Sequence, residues 1–267
     1  MNKSILSNLL RKTGLLHLAD KTKFFLEKVK NKKINNQFKE EHPHIKLPPD
    51  YLIYESFQMN YRKYYTGGKA TANWLTEIIR KHTDLEEKTI LDWGCGPGRI
   101  IRHLPQLTKN CKLYGTDYNQ KTIDWCKRNL GGIHFNLNSL EAKLPYSDEQ
   151  FDIVYGISIF THLSEKMHNE WFDELYRTTK KGGIMLFTLQ GDNFKGKLSG
   201  AELEQYENNK LVIRGGVKEG HRIFSAFHPK EYVKNLFKKA EILEHIEPKP
   251  INRLDTPQDI WIIRKTA

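Results

Sequence analysis

Short apolar runs alternate with amphipathic stretches through the middle of the chain. The runs at residues 89–91, 151–155 and 184–189 are rich in β-branched and aromatic residues, as buried strands are. Amphipathic stretches of ten or more residues, at 120–130 and 164–180, lie between such runs. Strands that alternate with helices predict an α/β fold with a mostly parallel sheet.

The same reading places the remaining elements. Strands are predicted at residues 112–116, 133–135, 240–246 and 260–263, and helices at 69–82, 99–107 and 229–239. Residues 191–228 are longer than an ordinary loop, contain six glycines and include a strand-like stretch at 211–213. An insertion of this length is typically functional or mobile.

The first 66 residues have a different pattern. Apolar residues recur at roughly helical spacing through residues 1–40, which predicts an amphipathic helix, and prolines at 43, 48 and 49 then break it. Residues 51–66 carry six aromatic side chains, which either pack on the domain or form a lid over a small-molecule pocket. Gly67 and Gly68 are predicted to end this segment.

Composition adds a charge bias. The 43 lysines and arginines exceed the 32 aspartates and glutamates, giving 267 residues a net charge of +11, and ten of the bases fall in residues 1–40. The ordinary explanation for these basic residues is a solvated helix face. The more specific explanation is docking on an anionic membrane or a polyanion. Without a long apolar run, a signal sequence or paired cysteines, a reduced cytoplasmic protein is expected.

The glycine-rich stretch at residues 89–99, TILDWGCGPGR, is the main chemical signal. After an apolar run come Asp92 and then Gly94, Gly96 and Gly98 at alternate positions. Such glycines let the backbone turn after a strand and lie flat against a ligand. The spacing differs from the G-x-G-x-x-G of dinucleotide sites, and a tight turn without a ligand is the alternative.

This stretch resembles motif I of the class I S-adenosylmethionine-dependent methyltransferases. The run LPYSDEQFDIVY at 144–155 and the ending around Pro257–Ile260 also resemble that family. The resemblance implies a doubly wound, seven-stranded, mostly parallel sheet whose last strand is antiparallel. It also implies that Asp92 supports the methionine amino end of S-adenosylmethionine, with further contacts from Gly94, Cys95, Gly96, Gly98 and Arg99.

The end of the second strand offers a ribose site. Asp117 lies about twenty residues beyond the glycines, where a carboxylate can accept hydrogen bonds from both ribose hydroxyls, with Tyr118 beside it. The alternative role of Asp117 is to cap the helix at 120–130. The resemblance further implies adenine contacts from Asn138, Ser139 and Leu140, with Asn136 as second choice or a plain loop asparagine as the alternative.

Two other segments give candidate residues. In the family, the segment before the helix at 69–82 closes over the cofactor, which makes Tyr65, Gly67 and Gly68 candidate contacts. The loop after the fourth strand contributes Ile157, Ser158 and His162 at the edge where open α/β sheets hold their ligands. His162 is a candidate general base, or else it fixes the loop without touching the acceptor.

The sequence therefore predicts an S-adenosylmethionine-dependent methyltransferase, with residues 1–60 as a helical and aromatic extension and lid, and 61–267 as the methyltransferase domain. The expected acceptor is a hydroxyl or amine of a small molecule or sugar precursor. An Asp/Asn-Pro-Pro motif after the fourth strand and a metal-binding cluster are both missing from the sequence, which disfavours DNA methylation and metal-dependent catechol chemistry. An RNA methyltransferase and a non-catalytic cofactor-binding module are the alternatives.

Overall fold

The computed structural model describes residues 16–252 and 255–266. Three helices precede the sheet: α1 at Leu16–Glu41, α2 at Asp50–Ser56 and α3 at Tyr61–Ile79. The predicted N-terminal helix is thus present from residue 16 onward, and its residues 1–15 lie outside the described residues. Within the described chain, none of the helices combines the length and the apolar character needed to cross a membrane.

A seven-stranded sheet forms the centre of the molecule. Its strands are β1 (Thr89–Trp93), β2 (Lys112–Asp117), β3 (His134–Leu137), β4 (Phe151–Ile157), β5 (Thr179–Leu189), β8 (Ala240–Ile246) and β9 (Asp259–Lys265). They lie in the order β3-β2-β1-β4-β5-β9-β8. All pairings are parallel except those of β9, which runs antiparallel to both neighbours. The predicted fold class is confirmed.

Each face of the sheet is covered by helices, so β1 is buried on both sides. The helices are α4 at Gln120–Asn129, α5 at Glu165–Thr178 and α7 at Lys230–Leu236. Successive strand residues point to opposite faces. Ile90 therefore packs in the same cluster as Ile123 of α4, whereas Leu91 packs in a second cluster with Leu175 of α5. This double burial explains the continuous apolar runs in the central strands.

The segment after the glycine turn differs from the prediction. An α-helix was expected at residues 99–107, and the structure has a 3₁₀ helix at Ile101–Gln106. Pro105 lies inside it and has no backbone N–H to continue an α-helical ladder. Because six residues of 3₁₀ helix align fewer peptide dipoles than a long α-helix, the positive helix end expected at the turn is weaker.

Gly67 and Gly68 do not end a segment, which corrects a second expectation. Both lie inside α3, which continues to Ile79. A Cβ at Gly68 would lie 2.2 Å from the carbonyl oxygen of Arg99, so the absence of a side chain lets α3 approach the glycine turn closely. This tertiary contact offsets the poor helix propensity of glycine.

The two glycines are expected to respond in opposite ways to alanine. Gly68→Ala should lower the free energy of unfolding by about 1–3 kcal/mol, because the new Cβ collides with backbone. Gly67→Ala should raise it by about 0.5–1 kcal/mol, because the nearest atom to its Cβ would be Phe57 Cζ, 3.9 Å away. Urea unfolding of both variants measures the difference; two destabilised proteins would contradict the packing argument.

The insertion after β5 forms a compact substructure. It contains a 3₁₀ helix at Asp192–Lys197, α6 at Gly200–Glu207, and an antiparallel pair of β6 (Val212–Arg214) and β7 (Ser225–Phe227). The predicted strand near 211–213 is confirmed. His228, just after β7, is buried with its Nε2 atom 2.8 Å from Nε2 of His168 in α5, which ties the insertion to the core. The division into an extension and a domain at residues 60 and 61 stays a prediction.

Candidate active site

A cavity of about 240 Å³ lies at the carboxyl ends of β1, β2 and β4. The order of the sheet brings these strand ends together, as in other doubly wound sheets. Thirteen of the predicted site residues line the cavity: Asp92, Gly94, Cys95, Gly96, Arg99, Asp117, Tyr118, Asn138, Ser139, Leu140, Ile157, Ser158 and His162. Tyr65, Gly67, Gly68 and Gly98 lie outside its wall.

The glycine turn is held against β2 by its own backbone. Gly94, Gly96 and Gly98 have φ angles of +72°, +51° and +70°, a region that other residues rarely adopt. The amides of Gly94 and Cys95 both donate to the carbonyl oxygen of Thr116, at 2.8 and 2.9 Å. Gly98 instead faces the core, where a Cβ would lie 2.4 Å from Leu130, so its role is in shaping the turn.

Asp92 is a buried carboxyl group at the base of the cavity. Its residue is 3% exposed, and burial raises the pKa to about 7, against the smaller opposing effects of the Tyr155 hydroxyl and the positive charge of Arg99. A raised pKa means that the surroundings compensate the negative charge poorly. A cationic group entering the cavity would therefore stabilise the ionised form, which suits Asp92 to an ammonium ligand.

Asp117 closes the neighbouring side of the cavity. Its Oδ2 accepts from the Gly96 amide at 3.0 Å and its Oδ1 accepts from the Asn119 amide at 2.8 Å. Burial raises its pKa to about 6, although these backbone hydrogen bonds oppose the shift. The cap of α4 is Asn119, whose side chain accepts from Lys121 and Thr122, so the alternative that Asp117 caps this helix is wrong.

The third predicted region, after β3, is only partly arranged as expected. Asn138 lines the cavity, but its side chain accepts from Thr116 Oγ1 at 2.7 Å and donates to the carbonyl of Ser139 at 2.6 Å. Ser139 and Leu140 follow along the wall. The second choice, Asn136, lies outside the wall. Adenine recognition by Asn138 stays a prediction.

The predicted contacts Tyr65, Gly67 and Gly68 lie outside the cavity wall, and their contact with the cofactor stays a prediction. The wall is completed by Leu52, Glu55 and Ser56 of α2, one helix before the predicted contacts. Glu55 accepts from the Asn119 side chain at 3.3 Å, and burial and the nearby Asp117 raise its pKa. Tyr65 instead packs edge-on against His103, with ring centroids 4.9 Å apart. The aromatic spacing pointed to a lid in this region but did not distinguish the two helices.

The insertion closes the other side of the cavity. The amide of Gly220 donates to the carbonyl of His162 at 2.8 Å, and the Tyr118 hydroxyl donates to the carbonyl of Gly220 at 3.2 Å. Arg222 then crosses to α2, where it donates to the carbonyl of Tyr54 at 2.7 Å and lies 4.1 Å above that ring. The length of the insertion indicated a functional segment, but no sequence pattern predicted that Gly220 and Arg222 form the roof of the cavity.

His162 has a fixed tautomer. Its Nδ1 lies 2.7 Å from the carbonyl oxygen of Phe224, and because a carbonyl can only accept, Nδ1 carries the proton. Nε2 is then the unprotonated nitrogen. Burial lowers the pKa of His162, so the ring is neutral at physiological pH. A neutral imidazole with an available lone pair is the form that a general base requires.

Ser158 lies four residues before His162 and supports the same loop. Its φ of +64° is unusual for a residue with a side chain. The Ser158 amide donates to Thr188 Oγ1 at 2.8 Å, and Gln258 Nε2 donates to Ser158 Oγ at 2.7 Å. A residue of β5 and the residue just before β9 thus hold the strained Ser158, as expected of a functional constraint at this position.

A second group of polar side chains, away from the cavity, was not foreseen. His245, Glu247 and Asp259 bring ligand-type atoms within 4.8 Å of one another. His245 Nε2 lies 3.0 Å from Asp259 Oδ2, and Nδ1 lies 3.6 Å from Glu247 Oε1. The same ring stacks on Trp261 with centroids 3.8 Å apart. These contacts join β8 to β9 and account for the grouping.

Comparison with known proteins adds to this geometry. A family model described as a methyltransferase domain matches residues 90–183, which run from β1 into β5 and include the glycine turn and Asp117. This part of the chain is a methyltransferase domain of the class I, S-adenosylmethionine-dependent kind. The suspected family is thereby confirmed, and with it S-adenosylmethionine as the methyl donor that the family implies.

Two curated methyltransferases resemble part of the chain. One is the phthiotriol/phenolphthiotriol dimycocerosates methyltransferase 1 of Mycobacterium ulcerans, 31% identical over 153 residues, covering 52% of this chain and 54% of that protein. The other is the tRNA N(3)-methylcytidine methyltransferase of Schizosaccharomyces pombe, 30% identical over 163 residues, covering 56% of this chain and 50% of that one. The chain thus spans about half the length of these relatives.

A solved structure agrees on the methyltransferase fold. The crystal structure of a methyltransferase from Methanosarcina mazei aligns with a TM-score of 0.55 at 18% identity, over 71% of this chain and 97% of that one. At this identity the match concerns the fold alone. The relatives act on different acceptors according to their names, so the fold does not identify an acceptor for this chain.

Proposed function

We propose that the chain transfers a methyl group from S-adenosylmethionine to a hydroxyl or amine of a small molecule or a sugar or glycan precursor. The observation that carries the proposal is the tautomer of His162, whose unprotonated Nε2 belongs to a residue lining the same cavity as Asp92 and Asp117. A cofactor-binding module without catalysis has no need of a base in that position.

The residues present fit S-adenosylmethionine. Asp92 would hold the cationic amino end, because burial leaves its carboxylate poorly compensated. Asp117 would hold the ribose, since each of its oxygens keeps a lone pair beyond its hydrogen bond to the backbone. The bound cofactor supplies an electrophilic methyl group on its sulfonium. The chain contributes positioning, and α2 and the insertion cover the site on two sides.

His162 would take the proton that a hydroxyl or amine acceptor loses. The Nδ1–H group keeps its hydrogen bond to the Phe224 carbonyl oxygen. This bond orients the ring and stabilises the imidazolium that forms. We place the acceptor in the part of the cavity that lies under Gly220 and Arg222. Both residues belong to the insertion, which makes it the segment that selects the acceptor.

A small acceptor is favoured by how the cavity is covered. Helix α2 forms one side of the wall and the insertion the other, and Arg222 joins them through Tyr54. A folded RNA would need this bridge to open. The relatives named for a dimycocerosate lipid and for a tRNA keep both acceptor classes open to experiment.

Calorimetry with S-adenosylmethionine, S-adenosylhomocysteine and NAD tests the cofactor. We expect both sulfur compounds to bind and NAD to bind much more weakly. A protein that binds neither sulfur compound would refute the proposal. Incubation with isotopically labelled S-adenosylmethionine and fractionated cell extracts then tests transfer: label in small molecules supports the proposed acceptor, and label confined to RNA would replace it.

We also propose that α1 rests on an anionic membrane surface. Leu18, Phe25, Leu26 and Val29 lie on one face of this helix and are 62–74% exposed. Lysines lie on both sides of that face, among them Lys21, Lys30 and Lys32. An exposed apolar ridge with flanking lysines fits the boundary between acyl chains and anionic headgroups. The apolar residues predicted in 1–15 lie outside the described residues.

Vesicle flotation of the full chain tests this surface. We expect binding to phosphatidylcholine vesicles only when they contain phosphatidylglycerol, and a loss of about tenfold for the double variant Phe25→Ser/Val29→Ser. Ile251→Ser is the matched control, because Ile251 is 91% exposed but lies far along the chain from α1. Equal binding of wild type and double variant would contradict the proposal.

A further inference from the structure

A second cavity, of about 420 Å³, lies beside the active site. It is formed by α1, by the loop between α2 and α3, by the start of α3 and by Arg222 of the insertion. Nothing in the sequence motifs marks it, because its lining comes from segments that are distant along the chain. Its wall includes Lys23 and Lys30 from α1 and Lys63 from α3.

The charge of this cleft is unbalanced. Lys23, Lys30, Lys63 and Arg222 line it, and Glu27 is the one carboxylate in its wall. The Glu27 side chain is partly satisfied, since Oε2 accepts from Asn31 at 3.2 Å and Oε1 lies 4.0 Å from Lys30. Among the described residues, the ammonium groups of Lys23 and Lys63 have no carboxylate within salt-bridge distance. Four cations against one carboxylate in the wall favour an anionic ligand.

Arg222 connects this cleft to the active site. The residue lines both cavities, and its guanidinium is held by the carbonyl and ring of Tyr54. Its positive charge also contributes to the lowered pKa of His162, so the two side chains are near neighbours. A ligand that filled the basic cleft would therefore extend past Arg222 toward the proposed base.

We propose that the basic cleft binds a phosphate or diphosphate group of the methyl acceptor. Arg222 and the three lysines would hold the phosphate oxygens, which leaves the rest of the acceptor beyond Arg222, with its hydroxyl or amine at His162. The inference rests on the proposed function and narrows its substrate class to phosphorylated acceptors. A nucleotide-linked sugar and a lipid-linked phosphate share this chemistry.

Calorimetry on the full chain saturated with S-adenosylhomocysteine tests the cleft. Inorganic pyrophosphate is the probe of the shared chemistry, with uridine diphosphate and a short-chain alkyl phosphate as the two arms. We expect pyrophosphate to bind and the double variant Lys30→Gln/Lys63→Gln to bind it about tenfold more weakly or worse. The arm that binds more tightly than pyrophosphate identifies the nucleotide or the lipid source.

The control is Lys33→Gln/Lys69→Gln, which removes the same charges from α1 and α3 at positions outside the cleft. We expect it to bind pyrophosphate as the wild type does. No binding of pyrophosphate to the wild type, or an equal loss in the control, would overturn the proposal. S-adenosylhomocysteine affinity should be the same in all three proteins; failure of the wild type to bind it would instead refute the proposed function.

Discussion

Asp92→Asn is expected to weaken the binding of S-adenosylmethionine by about a hundredfold. The substitution keeps the shape of the side chain and removes the charge that would meet the amino group of the ligand. Charge-assisted hydrogen bonds in a buried site contribute about 1.5–3 kcal/mol, and each 1.4 kcal/mol is about tenfold in affinity. Calorimetry at pH 8 with wild type and variant measures the loss.

The pH dependence of binding provides a second readout of the same residue. Burial raises the pKa of Asp92 to about 7, so the carboxyl group is increasingly protonated as the pH falls below that value. Wild-type affinity should therefore fall between pH 8 and pH 5, approaching about tenfold per unit. In Asp92→Asn, the decrease in affinity near pH 7 should be absent. The decrease at lower pH should remain, because it arises from Asp117, whose pKa is about 6.

Unfolding cannot account for the expected loss. A buried carboxylate with a raised pKa destabilises the folded state when ionised, so Asp92→Asn should raise the free energy of unfolding at pH 8. Asp148→Asn, at an exposed side chain away from the cavity, is the matched control and should leave binding unchanged. If Asp92→Asn bound S-adenosylmethionine with wild-type affinity, the assignment of the glycine turn would be wrong.

The fold was predictable because its signals are local. The central strands are short apolar runs, the antiparallel last strand followed from the family resemblance, and both are confirmed. The errors arose where tertiary contacts outweigh local propensity. A glycine at position 68 predicts the end of a segment, yet α3 continues through Gly68, whose missing side chain lets the helix pack against Arg99. The apolar pattern of residues 99–107 predicts an α-helix, whereas these residues, with Pro105 among them, form a 3₁₀ helix.

The residues of the site could likewise be predicted where their signals are local. Residues at strand ends, such as Asp92 and Asp117, line the cavity because the order of the strands brings their ends together. Glu55 was missed and Arg222 was not assigned to the site, because they reach it from α2 and from the insertion, 167 positions apart along the chain. No periodicity or motif records a contact between such distant segments, which only the folded chain creates.

His162→Asn is expected to reduce kcat by about 100- to 1,000-fold, within the range that a positioned general base contributes. Asparagine can place its amide nitrogen near the position of Nδ1, so the hydrogen bond to the Phe224 carbonyl can be kept while the basic Nε2 is lost. Affinity for S-adenosylhomocysteine should stay within about threefold, because Asp92 and Asp117 are untouched. Initial rates with the identified acceptor measure the change.

The choice of asparagine separates the two roles left open for His162. If the residue only fixes the loop, the retained hydrogen bond to Phe224 should preserve kcat in His162→Asn, while His162→Ala, which loses that bond, should be impaired. If Nε2 takes the proton, both variants should be slow.

The pH profile gives an independent test. Wild-type kcat should fall at low pH as the ring is protonated, and the midpoint should lie below the pKa of a free histidine because burial lowers the pKa of His162. A wild-type rate independent of pH, together with an active asparagine variant, would assign proton removal to bulk water and leave His162 as the residue that holds the roof of the cavity through Gly220 and Phe224.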